Sequence, residues 1–293
     1  MIENFIKNYE YYKNISLKRY NTYKLDVSCD YLIYPKNVDE LLNLLKYLKE
    51  NNIKYLILGN GSNVILARPN FDVVIKLDKL SKIEIQGNMV IAGAGVSMIK
   101  LANHCMNNGL NGLSFAGGIP GAVGASTAMN AGAYKEDMAG IVEKVKVITP
   151  DLEIKTMTNQ ELEYNYRDSF LKRNKDYICV EVIFKLKKDS KEKIKALMED
   201  RRNRRVSSQP LTMPSAGSVF RNPEGLSAGK LIEDLGLKGY TIGGAQISEK
   251  HANFIVNIGN ATYEDIIALI EYIKKKVKEE YNIDLILEQE IIR

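Results

Sequence analysis

Residues 111–133 read NGLSFAGGIPGAVGASTAMNAGA, and this stretch decides which fold the chain adopts. It is crowded with Gly, Ala and Ser, and it leaves little side-chain bulk at Gly117, Gly118, Pro120, Gly121 and Gly124. Backbone without side chains approaches an anion closely, and a helix beginning near Val123 would add the favourable end of its dipole. We therefore expect this loop to form a backbone cradle for a pyrophosphate.

A second glycine-rich loop follows the short apolar run YLIL at residues 55–58. The loop consists of Gly59, Asn60, Gly61, Ser62 and Asn63. Taken alone, it fits an ordinary tight turn as well as an anion site. Two such loops in one chain favour a dinucleotide.

Familiar nucleotide fingerprints fail in this sequence. GNGSNV and GAGVSM lack the last glycine of GxGxxG, and Glu224 stands where a Walker A motif before Gly229-Lys230 would need glycine. A Rossmann domain and a P-loop are thus disfavoured, and the expected dinucleotide belongs to a different fold.

Composition excludes several classes of protein. The 293 residues include 45% apolar and 26% charged side chains, with a formal charge of +5, which is typical of a globular chain of two or three domains. No apolar run is long enough to cross a bilayer, and residues 1–14 lack a signal-like apolar segment, so we expect a cytoplasmic protein without a membrane association. The low net charge and the absence of aromatics among the basic clusters argue against nucleic-acid binding.

Cysteine and histidine are too few for several chemistries. Three cysteines without a CxxC pair argue against a disulfide framework. Two histidines, His104 and His251, cannot assemble a zinc constellation, and we expect no metal site.

Periodicity indicates mixed α and β structure. Asn37 and Glu40 have capping-box spacing before an amphipathic helix, and Ser97 precedes another that is closed by Gly109. A charged helix should run to Arg205, where we place a domain boundary. Further predicted elements are a helical stripe from Tyr263 to Val277 and strands at 55–58, 89–93, 177–187 and 283–287, with VEKVKVIT and DLEIKTMT as a pair.

Three polar positions are candidates for chemistry, each with a plainer interpretation. Arg167 can hold a carboxylate through two hydrogen bonds, or it can be a surface residue paired with Asp168. Ser218 lies in a small-residue turn, and an assisted serine can donate a proton. Glu288 and Glu290 are two apart in a strand-like segment, where carboxylates are usually exposed or ion-paired.

The arginines at the end of the charged helix are Arg201, Arg202, Arg204 and Arg205. They complement the helix dipole, and a solvated helix end explains them. The same charges would also suit a diphosphate.

Taken in order, these pieces resemble the MurB family of UDP-N-acetylenolpyruvoylglucosamine reductases, type II, over about residues 15–290. The motifs that carry the resemblance are RYNTYKLDVSCDYLIYP, LGNGSNVI, GLSFAGGIPGAVGASTAMNAGAY, YRDS, QPLTMPSAGSVFRNP, GLKGYTIGGAQISEKHANFIVN and LEQE. Their occurrence together and in this order is specific to the family.

The resemblance implies an α+β fold: a two-part FAD-binding unit of the vanillyl-alcohol-oxidase (PCMH) type and a C-terminal α+β substrate-binding domain. The expected divisions are residues 1–80 and 81–205 for the two FAD-binding parts and 206–293 for the substrate domain. FAD would be bound noncovalently by the two glycine-rich loops, and NADPH would reduce it. UDP-N-acetylglucosamine enolpyruvate would be reduced to UDP-N-acetylmuramate for peptidoglycan synthesis, with no obligate protein partner.

By motif position, the resemblance also implies roles for individual residues. Arg167 and Glu290 would polarise the substrate carboxylate and stabilise an enolate, and Ser218 would supply the proton. Asn222 and Arg205 would help to bind the UDP-sugar.

Two alternatives remain open at this point. One is a flavin-linked oxidase of the same fold, which often tethers FAD through a histidine, although neither His104 nor His251 lies in a glycine-rich loop. The other is a nonenzymatic nucleotide-binding module, which would have no need of Arg167, Ser218 and Glu290 together.

Overall fold

The computed structural model describes residues 2–293, and Met1, with which the first predicted domain begins, lies outside them. The helices are Ile2–Ile6 (α1), Val38–Glu50 (α2), Met98–Asn107 (α3), Val123–Ala128 (α4), Phe170–Arg173 (α5), Lys191–Ser208 (α6), Ala228–Asp234 (α7) and Tyr263–Tyr281 (α8). Short 3-10 turns lie at Lys18–Tyr20, Ser114–Gly118 and Met138–Gly140. Within this part of the chain, no helix is both long and apolar enough to cross a membrane.

The strands are short and numerous. They are Glu10–Ser16 (β1), Ser28–Tyr34 (β2), Tyr55–Ile57 (β3), Val64–Leu66 (β4), Asn70–Ile75 (β5), Ile83–Gln86 (β6), Met89–Gly93 (β7), Leu110–Asn111 (β8), Gly132–Ala133 (β9), Glu136–Asp137 (β10), Val142–Ile148 (β11), Ile154–Thr158 (β12), Ile178–Lys185 (β13), Lys187–Lys188 (β14), Thr241–Ile242 (β15), Ala245–Ile247 (β16), Ile255–Asn257 (β17) and Glu290–Ile292 (β18).

The chain divides into two compact units that interleave along the sequence. Unit 1 comprises the described residues up to Lys13, Asp30–Gly59 and Asp72–Asn203, and unit 2 comprises Asn14–Cys29, Asn60–Phe71 and Arg204–Arg293. The three-part division at residues 80 and 205 stays a prediction.

Unit 1 contains a five-stranded sheet in the order β12-β11-β13-β7-β6. All its neighbouring strands are antiparallel, and the predicted pairing of VEKVKVIT with DLEIKTMT is confirmed by β11 and β12. A four-stranded sheet has the order β1-β2-β5-β3, in which β3 and β5 are parallel. One continuous core of buried apolar side chains includes residues of these sheets together with those of α2 and α3.

The two helices of that core begin where the sequence predicts. The Asn37 side chain accepts a hydrogen bond from the Glu40 backbone N–H at 2.9 Å, which satisfies one of the first amides of α2. Only half of the expected capping box forms, because the Glu40 carboxylate accepts from the Lys36 backbone N–H at 2.8 Å instead. Ser97 is the N-cap residue of α3, without a side-chain hydrogen bond.

Unit 2 is built around helix α8. Its buried stripe consists of Ile266, Leu269, Ile270, Ile273 and Val277, and it lies against the three-stranded antiparallel sheet β15-β16-β17. Thr262 and Asp265 form a full capping box at the beginning of the helix.

The predicted strand at residues 283–287 is wrong. The chain leaves α8 at Asn282 in the left-handed conformation, and Leu287 makes only an isolated bridge with Phe220. Ladder pairing begins at Glu290, where β18 runs parallel to β4. The apolar residues from Ile283 to Leu287 therefore precede the point at which this segment joins a strand partner.

The cysteines are inert. Cys29, Cys105 and Cys179 are all buried and not in disulfides. Burial raises the pKa of the Cys105 and Cys179 thiols to about 12, so both stay protonated near neutral pH.

A series of buried hydrogen bonds connects Tyr23, near the beginning of unit 2, with Gln289, near its end. The Tyr23 hydroxyl donates to the Gln289 side-chain oxygen at 3.0 Å, and both residues are at most 3% exposed. The Gln289 amide donates in turn to the backbone oxygens of Ala216 and Gly217, each at 3.1 Å. Every polar atom of the Gln289 side chain is thus used.

We expect Tyr23→Phe to lower the free energy of unfolding by about 1–3 kcal/mol, because it leaves the buried Gln289 oxygen without its donor. Urea denaturation measures this change. Tyr12→Phe is the matched control, since the Tyr12 side chain is 43% exposed, and it should stay within about 0.5 kcal/mol of the wild type. Equal effects of the two changes would contradict the assigned role of the Tyr23 hydroxyl.

Candidate active site

The first glycine-rich loop rests on a buried lysine. Lys76 follows β5 and is 4% exposed, and its ammonium donates to the Gly59 carbonyl oxygen at 2.5 Å. Asp78, whose side chain is 49% exposed, lies 3.3 Å from the same nitrogen. Unit 1 therefore places a positive charge directly beneath the first residue of the loop.

Gly61 cannot be replaced without movement of the chain. It has φ +62°, and a Cβ there would lie 2.3 Å from the Tyr20 carbonyl oxygen. The Gly61 carbonyl accepts hydrogen bonds from the Thr22 backbone N–H at 3.0 Å and from the Thr22 hydroxyl at 3.1 Å. In unit 2 the loop is thus packed tightly against residues 20–22, which explains why glycine is required at this position.

Within unit 1, the first residue of the first glycine-rich loop, Gly59, lies close to the second loop. A Cβ at Gly59 would lie 3.2 Å from the Ala125 Cβ and 3.8 Å from the Ala122 Cβ. The Gly59 backbone is therefore close to the alanine methyl groups of the second loop. A larger side chain at Gly59, Ala122 or Ala125 would crowd this contact within unit 1.

The second loop uses part of its backbone inside unit 1. The amides of Val123 and Gly124, at the beginning of α4, donate to the carbonyls of Val96 and Ala94 at 2.8 and 2.9 Å. A Cβ at Gly124 would lie 2.8 Å from the Ala94 Cβ. These two amides hold α4 against the end of β7, so the residues that remain for an anion are those of the preceding stretch, Gly117–Gly121.

These features fit a dinucleotide cofactor. Two adjacent segments present backbone with little side-chain bulk, and a buried ammonium compensates negative charge at the first. Neither histidine of the sequence lies in these loops. In the structure, the backbone that could hold such a cofactor is that of Gly59–Asn63 and of Gly117–Gly121, and Lys76 supports the first of these segments from below.

Arg167 lies on a strained turn in unit 1. Its φ is +56°, and hydrogen bonds between the backbones of Asn165 and Asp168 at 3.0 and 3.1 Å close the turn. The guanidinium donates to the Gly132 carbonyl at 2.6 Å and to the Asn130 carbonyl at 3.4 Å. Asp168, the partner that the alternative of a surface ion pair would give Arg167, forms an ion pair with Arg173.

The backbone segment around Ser218 is held by the side-chain amides of two buried residues, Gln289 and Asn253. Gln289 binds the carbonyls of Ala216 and Gly217, as described above. Asn253, 4% exposed, accepts from the Phe220 N–H at 2.9 Å and donates to the Phe220 carbonyl at 2.8 Å. The serine thus stands on a fixed stretch of irregular backbone.

Glu290 belongs to the same construction in unit 2. The Glu288 N–H donates to the Val219 carbonyl at 2.8 Å, so residues 286–290 run alongside the Ser218 segment. The Glu290 N–H donates to the backbone carbonyl of Asn63 at 2.9 Å. The side-chain amide of Asn63 donates in turn to the backbone carbonyl of Glu288 at 3.1 Å. Ser218, Glu290 and the end of the first glycine-rich loop are therefore linked through backbone, while Arg167 belongs to unit 1.

The remaining predicted residues have local partners. The Asn222 side-chain oxygen accepts from the Ala228 N–H at 3.1 Å, and Arg205 is half-buried near the end of α6. Arg201 donates to the Ser114 hydroxyl at 2.9 Å and to Glu136 at 2.5 Å, with its guanidinium over the Tyr134 ring. Arg201 therefore fastens α6 to the second loop.

The fold and the paired loops define an FAD-binding flavoprotein. Residues 29–158 match the family model described as an FAD binding domain. A solvent-stable cholesterol oxidase has the same fold over 62% of this chain and 39% of its own, with a TM-score of 0.51 and 18% identity. The predicted α+β architecture with a flavin-binding unit of this type is confirmed.

Residues 209–292 match the family model for the C-terminal domain of UDP-N-acetylenolpyruvoylglucosamine reductase. The reductase of that name from Caldanaerobacter subterraneus subsp. tengcongensis is 43% identical over 99% of this chain and 96% of its own. The crystal structure of the enzyme (MurB) from Thermus caldophilus superposes with a TM-score of 0.82 at 33% identity, covering 97% of this chain and 99% of its own. The chain belongs to the MurB family of UDP-N-acetylenolpyruvoylglucosamine reductases, and it is a flavin-dependent oxidoreductase.

We expect Lys76→Met to raise the dissociation constant for FAD roughly 10-fold or more, since hydrogen bonds from charged donors contribute about 1.5–3 kcal/mol. Titration of the apoprotein with FAD, followed by flavin fluorescence, measures this constant. Lys82→Met is the control, because the Lys82 side chain is 83% exposed.

Thermal unfolding of the apoprotein separates binding from stability. Methionine matches the buried stem of lysine, and replacing a buried charge by an apolar group is often neutral or stabilising. An unchanged FAD affinity in Lys76→Met would show that the lysine supports unit 1 and not the cofactor.

Proposed function

We propose that this protein reduces UDP-N-acetylglucosamine enolpyruvate to UDP-N-acetylmuramate with NADPH, a step in the synthesis of peptidoglycan precursors. The observation that carries the proposal is the match to the named reductases over nearly the whole chain, at 43% identity. It includes both the FAD-binding region and the C-terminal region. Bound FAD supplies the hydride transfer, from NADPH to the terminal carbon of the enolpyruvyl group.

In this proposal, Arg167 and Glu290 act on the carboxylate end of the substrate. Once a hydride has been added, negative charge spreads over the carboxylate and the adjacent carbon. A fixed donor aimed at that charge, such as the Arg167 guanidinium, favours the transition state over the ground state. The support for Arg167 is that its guanidinium is held by hydrogen bonds to two backbone carbonyls of unit 1.

Ser218 is proposed as the proton donor to the carbon next to the carboxylate. Its support is the rigidity of its segment, because a general acid must be positioned before it can act. Gln289 and Asn253 hold the backbone on both sides of the serine. Asn222 and Arg205 are proposed to contact the UDP-sugar, and Gly59–Asn63 with Gly117, Gly118, Pro120, Gly121 and Gly124 to bind FAD noncovalently.

We also propose a functional division into two FAD-binding parts, residues 1–80 and 81–205, and a substrate-binding part, residues 206–293. The match to the C-terminal family model begins at residue 209, close to the last boundary. The proposed partners are the nucleotide-sugar substrate and NADPH, without nucleic acid, membrane or an obligate protein partner. Both partners are water-soluble nucleotides, which supports a cytoplasmic location.

Turnover tests the proposed function directly. Purified protein should oxidise NADPH much faster when UDP-N-acetylglucosamine enolpyruvate is present than when it is absent, since the reduced flavin then has its acceptor. Absorbance at the NADPH band measures this rate, and product analysis should show UDP-N-acetylmuramate.

Two other outcomes would change the assignment. Stimulation by simple alcohols or hydroxy acids, but not by the enolpyruvyl compound, would favour the oxidase alternative. Flavin that remains attached to the denatured chain would contradict noncovalent binding while leaving the reaction unaffected.

Ser218→Ala should lower the rate of flavin reoxidation by the enolpyruvyl substrate by roughly 10²–10⁴-fold, or about 3–5 kcal/mol of barrier. Reduction of the flavin by NADPH should stay nearly normal, because proton delivery to the enolate belongs only to the second half-reaction. Stopped-flow measurements follow both steps.

Ser215→Ala provides the matched control, because Ser215 lies three residues earlier in the same segment. It should leave both half-reactions close to normal. Normal reoxidation in Ser218→Ala would show that the proton comes from another group.

A further inference from the structure

Asn130 is a buried asparagine that contacts the turn carrying Arg167. It follows α4, is 2% exposed and has φ +45°. Its side-chain amide donates to the Asn165 carbonyl at 2.9 Å and to the Asp137 carboxylate at 3.2 Å. Its side-chain oxygen accepts from the Ala139 N–H at 2.9 Å.

These contacts hold Arg167 at both ends. The Asn165 carbonyl belongs to the closed turn of residues 165–168, so the Asn130 side chain fixes the backbone of Arg167. The main-chain carbonyl of Asn130 accepts from the other end, the guanidinium, at 3.4 Å. Asn130 therefore contacts the Arg167 guanidinium directly and the turn that carries Arg167 through the Asn165 carbonyl.

The second carbonyl that binds the guanidinium depends on the same residue. Gly132 is the first residue of β9, where it pairs with Asp137 of β10. Asp137 is held by the Asn130 amide, and a Cβ at Gly132 would lie 2.6 Å from the Asp137 Cβ. The position of the Gly132 carbonyl is therefore coupled to Asn130 through Asp137.

We propose that Asn130 is a positioning residue that fixes the Arg167 guanidinium for its action on the substrate. This inference rests on the proposed role of Arg167. Carboxamide chemistry is required, because two donors and one acceptor are used at one buried side chain. Asparagine also tolerates the left-handed conformation better than most residues.

Asn130→Asp is the test substitution, since it keeps the shape of the side chain. It replaces the NH2 group, which donates both hydrogen bonds, by a carboxylate oxygen that faces Asp137 and the Asn165 carbonyl. Asn159→Asp is the matched control. The Asn159 amide donates to the carbonyls of Ala139 and Val142 at 2.9 and 2.7 Å. It thus supports the same region of unit 1 through the neighbouring turn, without a hydrogen bond to residues 165–168.

Crystal structures of the holoenzyme variants test the positioning itself. In Asn130→Asp, the Arg167 guanidinium should leave the Asn130 and Gly132 carbonyls or occupy several conformations, while in Asn159→Asp it should keep both contacts. An unmoved guanidinium in Asn130→Asp would overturn the proposal.

Stopped-flow kinetics test the consequence. A misplaced group costs up to about 10²-fold in rate, so Asn130→Asp should slow reoxidation by the enolpyruvyl substrate roughly 10–100-fold. FAD affinity and reduction by NADPH should change less than about twofold, as expected for a group that acts in one step only. Equal losses in both half-reactions, with a lower melting temperature, would indicate a purely structural role.

A double-mutant cycle with Arg167→Lys tests whether Asn130 acts through Arg167. If Asn130 acts through Arg167, adding Asn130→Asp to Arg167→Lys should slow reoxidation by less than about another twofold, because interacting sites are not additive. Full additivity would overturn the proposal. If Arg167→Lys alone leaves reoxidation normal, the proposed role of Arg167 fails, and the crystal structures still decide whether Asn130 positions its guanidinium.

Discussion

Buried backbone groups outside helices and sheets need hydrogen-bond partners, and in this protein carboxamide side chains provide them. An unpaired buried N–H or C=O costs about as much as a lost hydrogen bond, so irregular segments cannot be buried unless something satisfies them. Asparagine and glutamine carry donors and an acceptor on one planar group. The buried residues of this kind are Asn21, Asn130, Asn253, Asn257 and Gln289.

Each of these amides organises one irregular segment. Asn21 joins the carbonyls of Leu17 and Leu25 and accepts from the Leu25 N–H. Asn257 donates to the Tyr23 carbonyl at 2.8 Å, so the same N-terminal segment is fastened to the sheet of unit 2. The segments that carry Arg167 and Ser218 follow this pattern, because the side-chain amides of Asn130, Asn253 and Gln289 bind their backbone groups.

The sequence predicted most of the regular elements. MVIAG forms a strand with the expected bounds, since its alternation and its flanking turns agree with the tertiary structure. The glycine-rich loops were also predictable, because glycine itself signals close backbone approach. Tight packing of Gly61 against Tyr20 gives the physical reason for that signal.

Supporting polar residues were not predictable. Lys76 follows the apolar run of β5 and looks like any charged residue that ends a strand. Its burial depends on where the Gly59 carbonyl lies, which the sequence does not show. Asn130 looks like a turn residue, since a single sequence does not show which backbone groups a side chain reaches. The absence of ladder pairing at residues 283–286 has the same origin, because an apolar run indicates burial, whereas a strand also requires a partner.

Backbone strain gives an independent reason to connect the Arg167 region with function. Left-handed residues other than glycine cost about 1–2 kcal/mol each, and Asn130, Tyr134, Lys135 and Arg167 all have positive φ. Tyr134 and Lys135 are the central residues of the turn between β9 and β10, a position where Asn and Gly are preferred.

The surrounding structure compensates for this strain. The Tyr134 hydroxyl donates to the Arg201 carbonyl at 2.7 Å, and the Arg201 guanidinium covers the Tyr134 ring at 5.0 Å. Strained backbone persists only where its surroundings determine it fully, and such places are concentrated at functional sites. In unit 1, the left-handed residue Asn130 supplies one of the two carbonyls that accept from Arg167, and Gly132, in the strand that leads into the strained turn, supplies the other. The strained residues therefore lie where the Arg167 guanidinium must be held in one position. Stability of the fold alone would not require a guanidinium to be fixed in this way.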